Sequence, residues 1–451
     1  MDIQVEKLRQ ALGLVSAAVP RGKVTLPITT SVLLSNGKLT ATNLEFWISV
    51  DLPELGRSSF LLPHRALTEA LKFTPGRETL TLTPERARVV LQTSGSRLTL
   101  VKPGQPRDFP PMPQPGGDGF SVDGDRLVHG LTQVLPYAAT EASRPVLTGV
   151  AVRLDEELEM AAADGYRLAI HQPDIKLSAG ELGHLAVVPA NAVKVLGQLW
   201  RRGDKPPDID AAHVIGQTTN GGSVEVGRLA VARRSIRMVE DGNHIRFSFG
   251  AISLCSVLIQ GEFPQYRQFV PVTEGGRRVM VHAEELLRAV NQVAEIASEG
   301  SNIARLKWST GLLVVSARAA DVGEAEVSIP AVVEGDDGEI AFNLGYLQRY
   351  LRGKTDVVTI ATSPGDAEQV RSSMGVFTHR GGPMVMMMPM LAGADAQQQP
   401  EQETEPATGG HPEDGETTGE EQHPSEPAAH QEQAAPRRRR RSRSDRDAQD
   451  D

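Results

Sequence analysis

The sequence is poor in the residues that most often carry chemistry or cross-linking. A single cysteine among 451 residues, Cys255, excludes an internal disulfide and fits a reducing compartment, with the cytoplasm as the default. Aromatic residues make up only 4% of the chain, so Leu, Val, Ile and Ala must supply the cores. No apolar run approaches the roughly 18 residues of a membrane-spanning helix, and the opening MDIQVEKLRQ has no apolar leader core. Glycine-rich phosphate loops, zinc-protease helices and nucleophile elbows are all missing. The eleven histidines have no ligand spacing toward Cys255, which sits in the alternating run AISLCSVLI and reads as a strand-core residue. No cofactor and no metal is expected, and the chain is expected not to be an enzyme.

Charge is unevenly placed. Of 47 basic and 57 acidic residues, 7 and 15 lie from Ala392 onward, which leaves 40 and 42 in the preceding part. That part is close to neutral, whereas a protein holding nucleic acid by phosphate neutralisation is normally strongly basic. Any grip on DNA must therefore be weak or topological.

What the chain does contain is a repeat. A β-type residue followed by apolar positions at helical spacing occurs at Ile3, Leu8, Leu12, Val15 and Val19, and again at Val122, Leu127, Leu131, Val134 and Ala138. It returns at Val281, Leu286, Val290, Val293 and Ala297. About sixty residues into each unit a second helical pattern follows, in LLPHRALTEALK, VVPANAVKVLGQL and AFNLGYLQRYLR. Between these lie alternating runs with turn residues, such as SVLLSNGKLTATN and GLLVVSARAADVGEAEVSIPAVV, which read as antiparallel strands. The fold class is α+β, with two helices per unit on antiparallel sheets.

Pro- and Gly-rich breaks at 106–119 and 270–278 divide the chain into domains at 1–117, 120–273 and 277–391. The central domain is longer, with 204–243 as the expected insertion. Residues 392–451 are rich in Glu, Gln, Pro and Ala, end in a block of five arginines, Arg437 to Arg441, and are expected to be a disordered acidic tail.

These residues resemble the bacterial DNA polymerase III β sliding clamps over 1–391. AADGYRLA at 162–169, GEFPQYRQFVP at 261–271, MMMPML at 386–391, TLPITTSVLL at 25–34 and TNLEFWISV at 42–50 are similar to segments of that family, in the family's order. The resemblance implies three clamp domains forming half of a closed ring, a homodimer joined head to tail, and helices lining a hole that encircles duplex DNA. It implies a processivity factor that tethers the replicative polymerase, the clamp loader and repair polymerases through short peptide motifs. An alternative is a divergent clamp-fold scaffold that recruits repair or regulatory proteins to DNA.

The resemblance also implies a hydrophobic partner groove formed by Leu147, Gly165, Tyr166, Arg167, Leu168, Pro264 and Phe269 with Met386, Met387, Met388, Pro389, Met390 and Leu391. Methionine is flexible and polarizable, which suits a surface that accepts different peptides. Read without the family, Asp164 and Gly165 form a hairpin turn fixed by Arg167, and the apolar run 384–388 is a buried strand. Gln268 stands where many clamps have Arg, and Ala163 where they have a hydroxyl residue. The implied DNA-facing set is Lys23, Lys72, Arg144, Lys194, Arg201, Arg288 and Arg352, any one of which could equally be an ordinary solvated charge.

Overall fold

The computed structural model describes residues 1–117, 119–141, 143–177, 183–203 and 234–390. The expected tail at 392–451, Leu391, and residues 204–233 of the expected insertion lie outside the described residues.

One order of elements occurs three times. The first run is β1 (Asp2–Gln4), α1 (Val5–Val15), β2 (Ser31–Ser35), β3 (Lys38–Thr42), β4 (Phe46–Asp51), β5 (Ser59–Pro63), α2 (His64–Lys72), β6 (Thr79–Pro84), β7 (Arg88–Gln92) and β8 (Arg97–Val101). The second is β9 (Phe120–Asp123), α3 (Gly124–Val134), β10 (Gly149–Leu154), β11 (Leu158–Ala163), β12 (Arg167–His171), β13 (His184–Pro189), α4 (Ala190–Arg202), β14 (Ser235–Glu240), β15 (His244–Phe249) and β16 (Ile252–Val257). The third is β17 (Arg278–His282), α5 (Ala283–Gln292), α6 (Ala294–Glu299), β18 (Ile303–Ser309), β19 (Leu312–Ala319), β20 (Gly323–Pro330), β21 (Val332–Glu334), β22 (Gly338–Asn343), α7 (Leu344–Leu351), β23 (Val357–Ala361), α8 (Ala367–Ser372), β24 (Gly375–His379) and β25 (Met384–Met387).

The helices form where the apolar spacing predicts them. In α1 the buried residues Val5, Leu8, Ala11, Leu12 and Val15 make one stripe, and α4 buries Val193, Leu196 and Trp200 in the same way. Asp123 caps α3, its carboxylate accepting from the backbone N–H groups of Asp125 and Arg126 at 3.1 Å each. The third repeat departs from the expected single helix. Its chain leaves α-geometry at Val293 and resumes as α6, while in the first two repeats the corresponding last turn is a 3-10 segment, Ser16–Ala18 and Leu135–Tyr137. The expected insertion also needs correction at its far end. Residues 235–240 are β14, which pairs with β9 and β15, so this part is an integral strand of the repeat. The Pro-, Asp- and Gly-rich residues before it hid the alternation Ile236, Met238.

Each repeat contributes two four-stranded runs, and the repeats are stitched by their edges. Strand β4 lies antiparallel to β16, with Phe46 opposite Ser256 and Val50 opposite Ile252. Strand β12 lies antiparallel to β25, with Arg167 opposite Met387 and Ile170 opposite Met384. The results are an eight-stranded sheet, β5-β2-β3-β4-β16-β15-β14-β9, and a nine-stranded one, β13-β10-β11-β12-β25-β24-β23-β17-β21. Two four-stranded sheets remain, β1-β6-β7-β8 and β20-β19-β18-β22. A main core runs under the helices, and a smaller cluster including Leu147, Leu168, Phe263, Tyr266 and Met386 packs beside the second seam.

The histidines near that seam bear on acid stability. His379 ends β24 with its ring 5.8 Å from that of Tyr350 and its Nδ1 3.4 Å from the Tyr350 hydroxyl. Burial, aided by the nearby Lys354 ammonium and His171 and opposed by Asp356, lowers its pKa from 6.5 to about 4. His171 is shifted in the same direction, again chiefly by burial. The unfolded chain therefore binds protons that the folded chain refuses, and stability present above pH 6.5 is lost as the pH falls toward 4. A thermal-melting series between those values should show a declining midpoint, and His379→Phe should flatten the decline.

Candidate functional site

The site is built on the β11–β12 hairpin. Its turn needs a residue in the left-handed region, and Gly165 supplies it with φ of 95°. Asp164 fixes the turn: its Oδ1 accepts from the backbone N–H groups of Tyr166 and Arg167 at 3.0 Å each, and its Oδ2 accepts from Arg167 Nε at 2.8 Å. Arg167 is only 6% exposed, and its guanidinium also donates to the Pro136 carbonyl at 3.1 Å. Its planar cation lies 5.1 Å from the Tyr137 ring and 4.5 Å from the Tyr346 ring, so a buried charge is held by a carboxylate, a carbonyl and two aromatic rings. Burial pushes the Tyr137 hydroxyl up to about 12, with the Arg167 charge opposing.

Tyr137 and Tyr346 are absent from the residues named by sequence. Their signal was weak: Tyr346 stands three residues after Asn343, whose side chain caps α7 by accepting from the Tyr346 N–H at 3.2 Å. That cap sets the first turn of α7 against Arg167, across the seam between the second and third repeats.

The structure packs Leu147, Leu168 and Met386 in one cluster and Met387 in another, and leaves other sequence-named residues exposed. Leu147, Leu168, Met386 and Met387 are packed, at 4%, 7%, 1% and 1% exposure. Strand β25 is covered on both faces, Met386 entering the smaller cluster and Met387 the main core. Gly165, Tyr166, Pro264, Phe269 and Met388 are exposed, and Pro389 and Met390 half-buried. The chain after β25 is tied to this face, Met388 N–H donating to the Tyr166 carbonyl and Met390 N–H to the Ala341 carbonyl, both at 2.8 Å. Buried apolar residues of the smaller cluster thus stand near exposed apolar side chains of the hairpin turn and of the chain after β25. Gln268, the departure from the usual Arg, is exposed.

The basic residues named by sequence stand on several elements, Lys72 on α2, Lys194 and Arg201 on α4 and Arg288 on α5. Lys23, Lys194, Arg201, Arg288 and Arg352 are exposed and make no ion pair among the described residues. Lys72 lies 3.8 Å from Glu69 and 5.5 Å from the centre of the Phe73 ring. Arg144 sits elsewhere than a helix face. Its Nη1 would be 3.5 Å from a Cβ at Gly165, which puts it beside the hairpin turn. A separate cleft of about 800 Å³ is lined by Lys7, Trp200, Arg234 and Phe249 among others, away from the hairpin turn. Among the described residues no group of three or more His, Cys, Asp or Glu is disposed to hold a metal, and no helix is long and apolar enough to cross a membrane.

Residues 121–265 match the family model described as the DNA polymerase III beta subunit, central domain, and residues 268–355 match that of its C-terminal domain, together more than half of the chain. The chain belongs to the DNA polymerase III beta subunit family. The beta sliding clamp of Pseudomonas aeruginosa is 28% identical over 358 residues, 76% of this chain and 88% of the relative. That of Synechococcus elongatus is 26% identical over 382 residues, 82% of this chain and 94% of the relative. Among solved structures, a DnaN sliding clamp from Pseudomonas aeruginosa bound to griselimycin superposes with a TM-score of 0.70 at 24% identity, covering 87% of this chain and 99% of that one. The sliding clamp of Bacillus subtilis gives 0.71 at 18% identity, over 87% and 98%. The function that goes with membership is that of a sliding clamp for DNA polymerase III.

Within this beta subunit, Arg167 should be hard to replace. Arg167→Ala removes one partner of a buried pair and leaves Asp164 uncompensated, and we expect a loss of about 3 kcal/mol in denaturant unfolding. Arg167→Lys keeps the charge without the planar fork and should lose about half as much.

Proposed function

We propose that two copies of the chain join head to tail into a closed ring around duplex DNA, with 1–117, 120–273 and 277–391 as the three domains of each half. The observation that carries this is the repeated seam. Strands β4 and β12 occupy the same place in successive repeats, and each is paired with the last strand of another run, β16 and β25. Their counterparts β20 and β8 stand at edges of the two remaining four-stranded sheets. An exposed edge offers a row of unpaired N–H and C=O groups to a further strand. The two edges also match in charge. Leu98 and Leu100 of β8, and Ala325 and Val327 of β20, turn toward the core, while Arg97 on the first and Glu324 and Glu326 on the second stay exposed. Pairing β8 of one copy with β20 of another repeats the internal seam and brings opposite charges together on one face. Such a contact is heterologous, and it closes when two three-unit copies complete the circle.

The ring encloses DNA without reading bases, in keeping with a body of 40 basic and 42 acidic residues. The scattered cations Lys23, Lys72, Arg144, Lys194, Arg201, Arg288 and Arg352 act as a diffuse field. The apolar face at the second seam is a groove for short peptides of the replicative polymerase, the clamp loader and repair polymerases. The chain works in the cytoplasm as a non-catalytic subunit.

Light scattering should give twice the chain mass at micromolar concentration. Arg97→Glu should raise the dimer dissociation constant at least tenfold, and Glu324→Arg with Glu326→Arg should restore it. Ring protein loaded on a nicked DNA circle should survive salt that abolishes phosphate contacts and be lost on linearisation. Equal loss from circle and linear DNA would overturn the ring.

For the groove, a fluorescent ten-residue peptide with one Leu and one Phe anchor serves as probe. Met388→Asp should weaken its binding by more than tenfold while leaving the dimer mass unchanged, because Met388 is exposed whereas Met386 and Met387 support the fold.

A further inference from the structure

Glu159 of β11 is a carboxylate at 4% exposure, and its position in the sheet gives it an obvious partner to which it makes an ion pair but no hydrogen bond. Arg153 on β10 stands directly opposite in register. Cross-strand opposite charges normally meet. Here Arg153 Nε stays 3.8 Å from Glu159 Oε1 and 3.9 Å from Asp155, buried and without a hydrogen-bond partner. Glu159 Oε1 accepts instead from the Tyr266 hydroxyl at 2.6 Å and from Arg267 Nε at 3.1 Å, and Oε2 accepts from the Gln172 amide at 2.9 Å. Two of these three donors come from the segment that links the second and third repeats, 107 and 108 residues away in sequence.

That segment forms one wall of the apolar face. Tyr266 is 2% exposed and meets Phe263 edge to face at 5.8 Å, and both belong to the small cluster with Leu147, Leu168 and Met386. The 3-10 turn Tyr266–Phe269 then presents Phe269 outward at 48% exposure. A buried carboxylate hydrogen-bonded to a linker, with its strand neighbour held only as an ion pair at 3.8 Å, leaves Arg153 Nε without a hydrogen bond, a cost that the fold of the hairpin alone does not require. Burial tends to raise the Glu159 pKa, but the hydrogen bonds from Tyr266, Arg267 and Gln172 outweigh it and lower it, so the group is the anion that these donors need.

We propose that Glu159 is a positioning residue for partner binding: it clamps the 263–270 linker to the β11–β12 hairpin and so sets where Phe263 and Phe269 stand relative to the groove floor. The inference rests on the groove reading given above. Glu159 and Tyr266 do not touch the bound peptide; they fix the wall that does, and the peptide meets a surface already ordered.

The test uses the full chain, the same fluorescent peptide, and the variants Glu159→Gln, Glu159→Leu, Tyr266→Phe and the double variant Glu159→Leu/Tyr266→Phe. Glu159→Leu and Tyr266→Phe should each weaken peptide binding by about tenfold or less, and the double variant should be no weaker than the worse single one, because both act through one contact. Glu159→Gln, whose amide oxygen still accepts from Tyr266, should recover most of the affinity. Amide hydrogen exchange should quicken at 266–270 and stay unchanged in β10 to β12, which distinguishes a released linker from general loosening. Wild-type affinity in Tyr266→Phe and Glu159→Leu alongside the loss caused by Met388→Asp overturns the role of Glu159 and keeps the groove. Wild-type affinity in Met388→Asp as well places the failure in the groove reading itself. If Glu159→Leu does not fold, Tyr266→Phe decides: unchanged affinity and unchanged exchange at 266–270 overturn the proposal.

Discussion

The structure depends on strand edges that cannot be left open. Each repeat is a pair of four-stranded runs covered by helices on one side, and each run ends in backbone groups that need partners. Inside the chain the need is met twice, by β4 on β16 and by β12 on β25. Because the seam has the same form both times, β20 and β8 are the edges that correspond to it in the remaining two sheets. In the ring proposed above, closure relieves the body of any need for a basic patch. A near-neutral protein can stay on DNA if it surrounds it, and electrostatics is left to tune approach and sliding.

The second seam carries fold and function on one strand. Met384 to Met387 are ladder residues, hydrogen-bonded between β12 and β24 and packed on both faces. One residue later Met388 is 44% exposed, its N–H held by the Tyr166 carbonyl. The boundary between a buried ladder residue and an exposed apolar one is thus a single peptide bond. Methionine suits both sides of it, filling an irregular double-sided core at 386 and 387 and offering a pliant contact at 388.

Much of this was legible in sequence because it is local. The helical spacing of Leu8, Leu12 and Val15, the Asp164-Gly165 turn and the apolar strand at 384–387 all announce themselves within a dozen residues. What was hidden is long-range pairing. Nothing near Arg167 says that Met387 lies opposite it, or that Tyr346 will stack on it, since those residues meet only when the third repeat closes on the second. β14 was misread as insertion for a related reason: its alternation is short and follows a polar stretch, and its partner β9 lies more than a hundred residues upstream. For Arg144 the sequence gives the charge but not the neighbour, Gly165.

The β11–β12 hairpin explains how such long-range pieces agree on a geometry. Its tip holds Asp164, which locks Arg167 and through it Tyr137 and Tyr346; its edge pairs β25; its middle holds Glu159, which receives Tyr266 and Arg267. Three walls of the apolar face, one from α7, one from the chain after β25 and one from the linker, are each referenced to the same short antiparallel pair. The carboxylates of this hairpin, Glu159 buried and Asp164 half-buried, are costly unless partnered, and Glu159 accepts from Tyr266 and Arg267 while Asp164 accepts from Arg167. In the proposed groove, a peptide's few apolar anchors meet walls already held by one hairpin, and their free energy is not spent on ordering the protein.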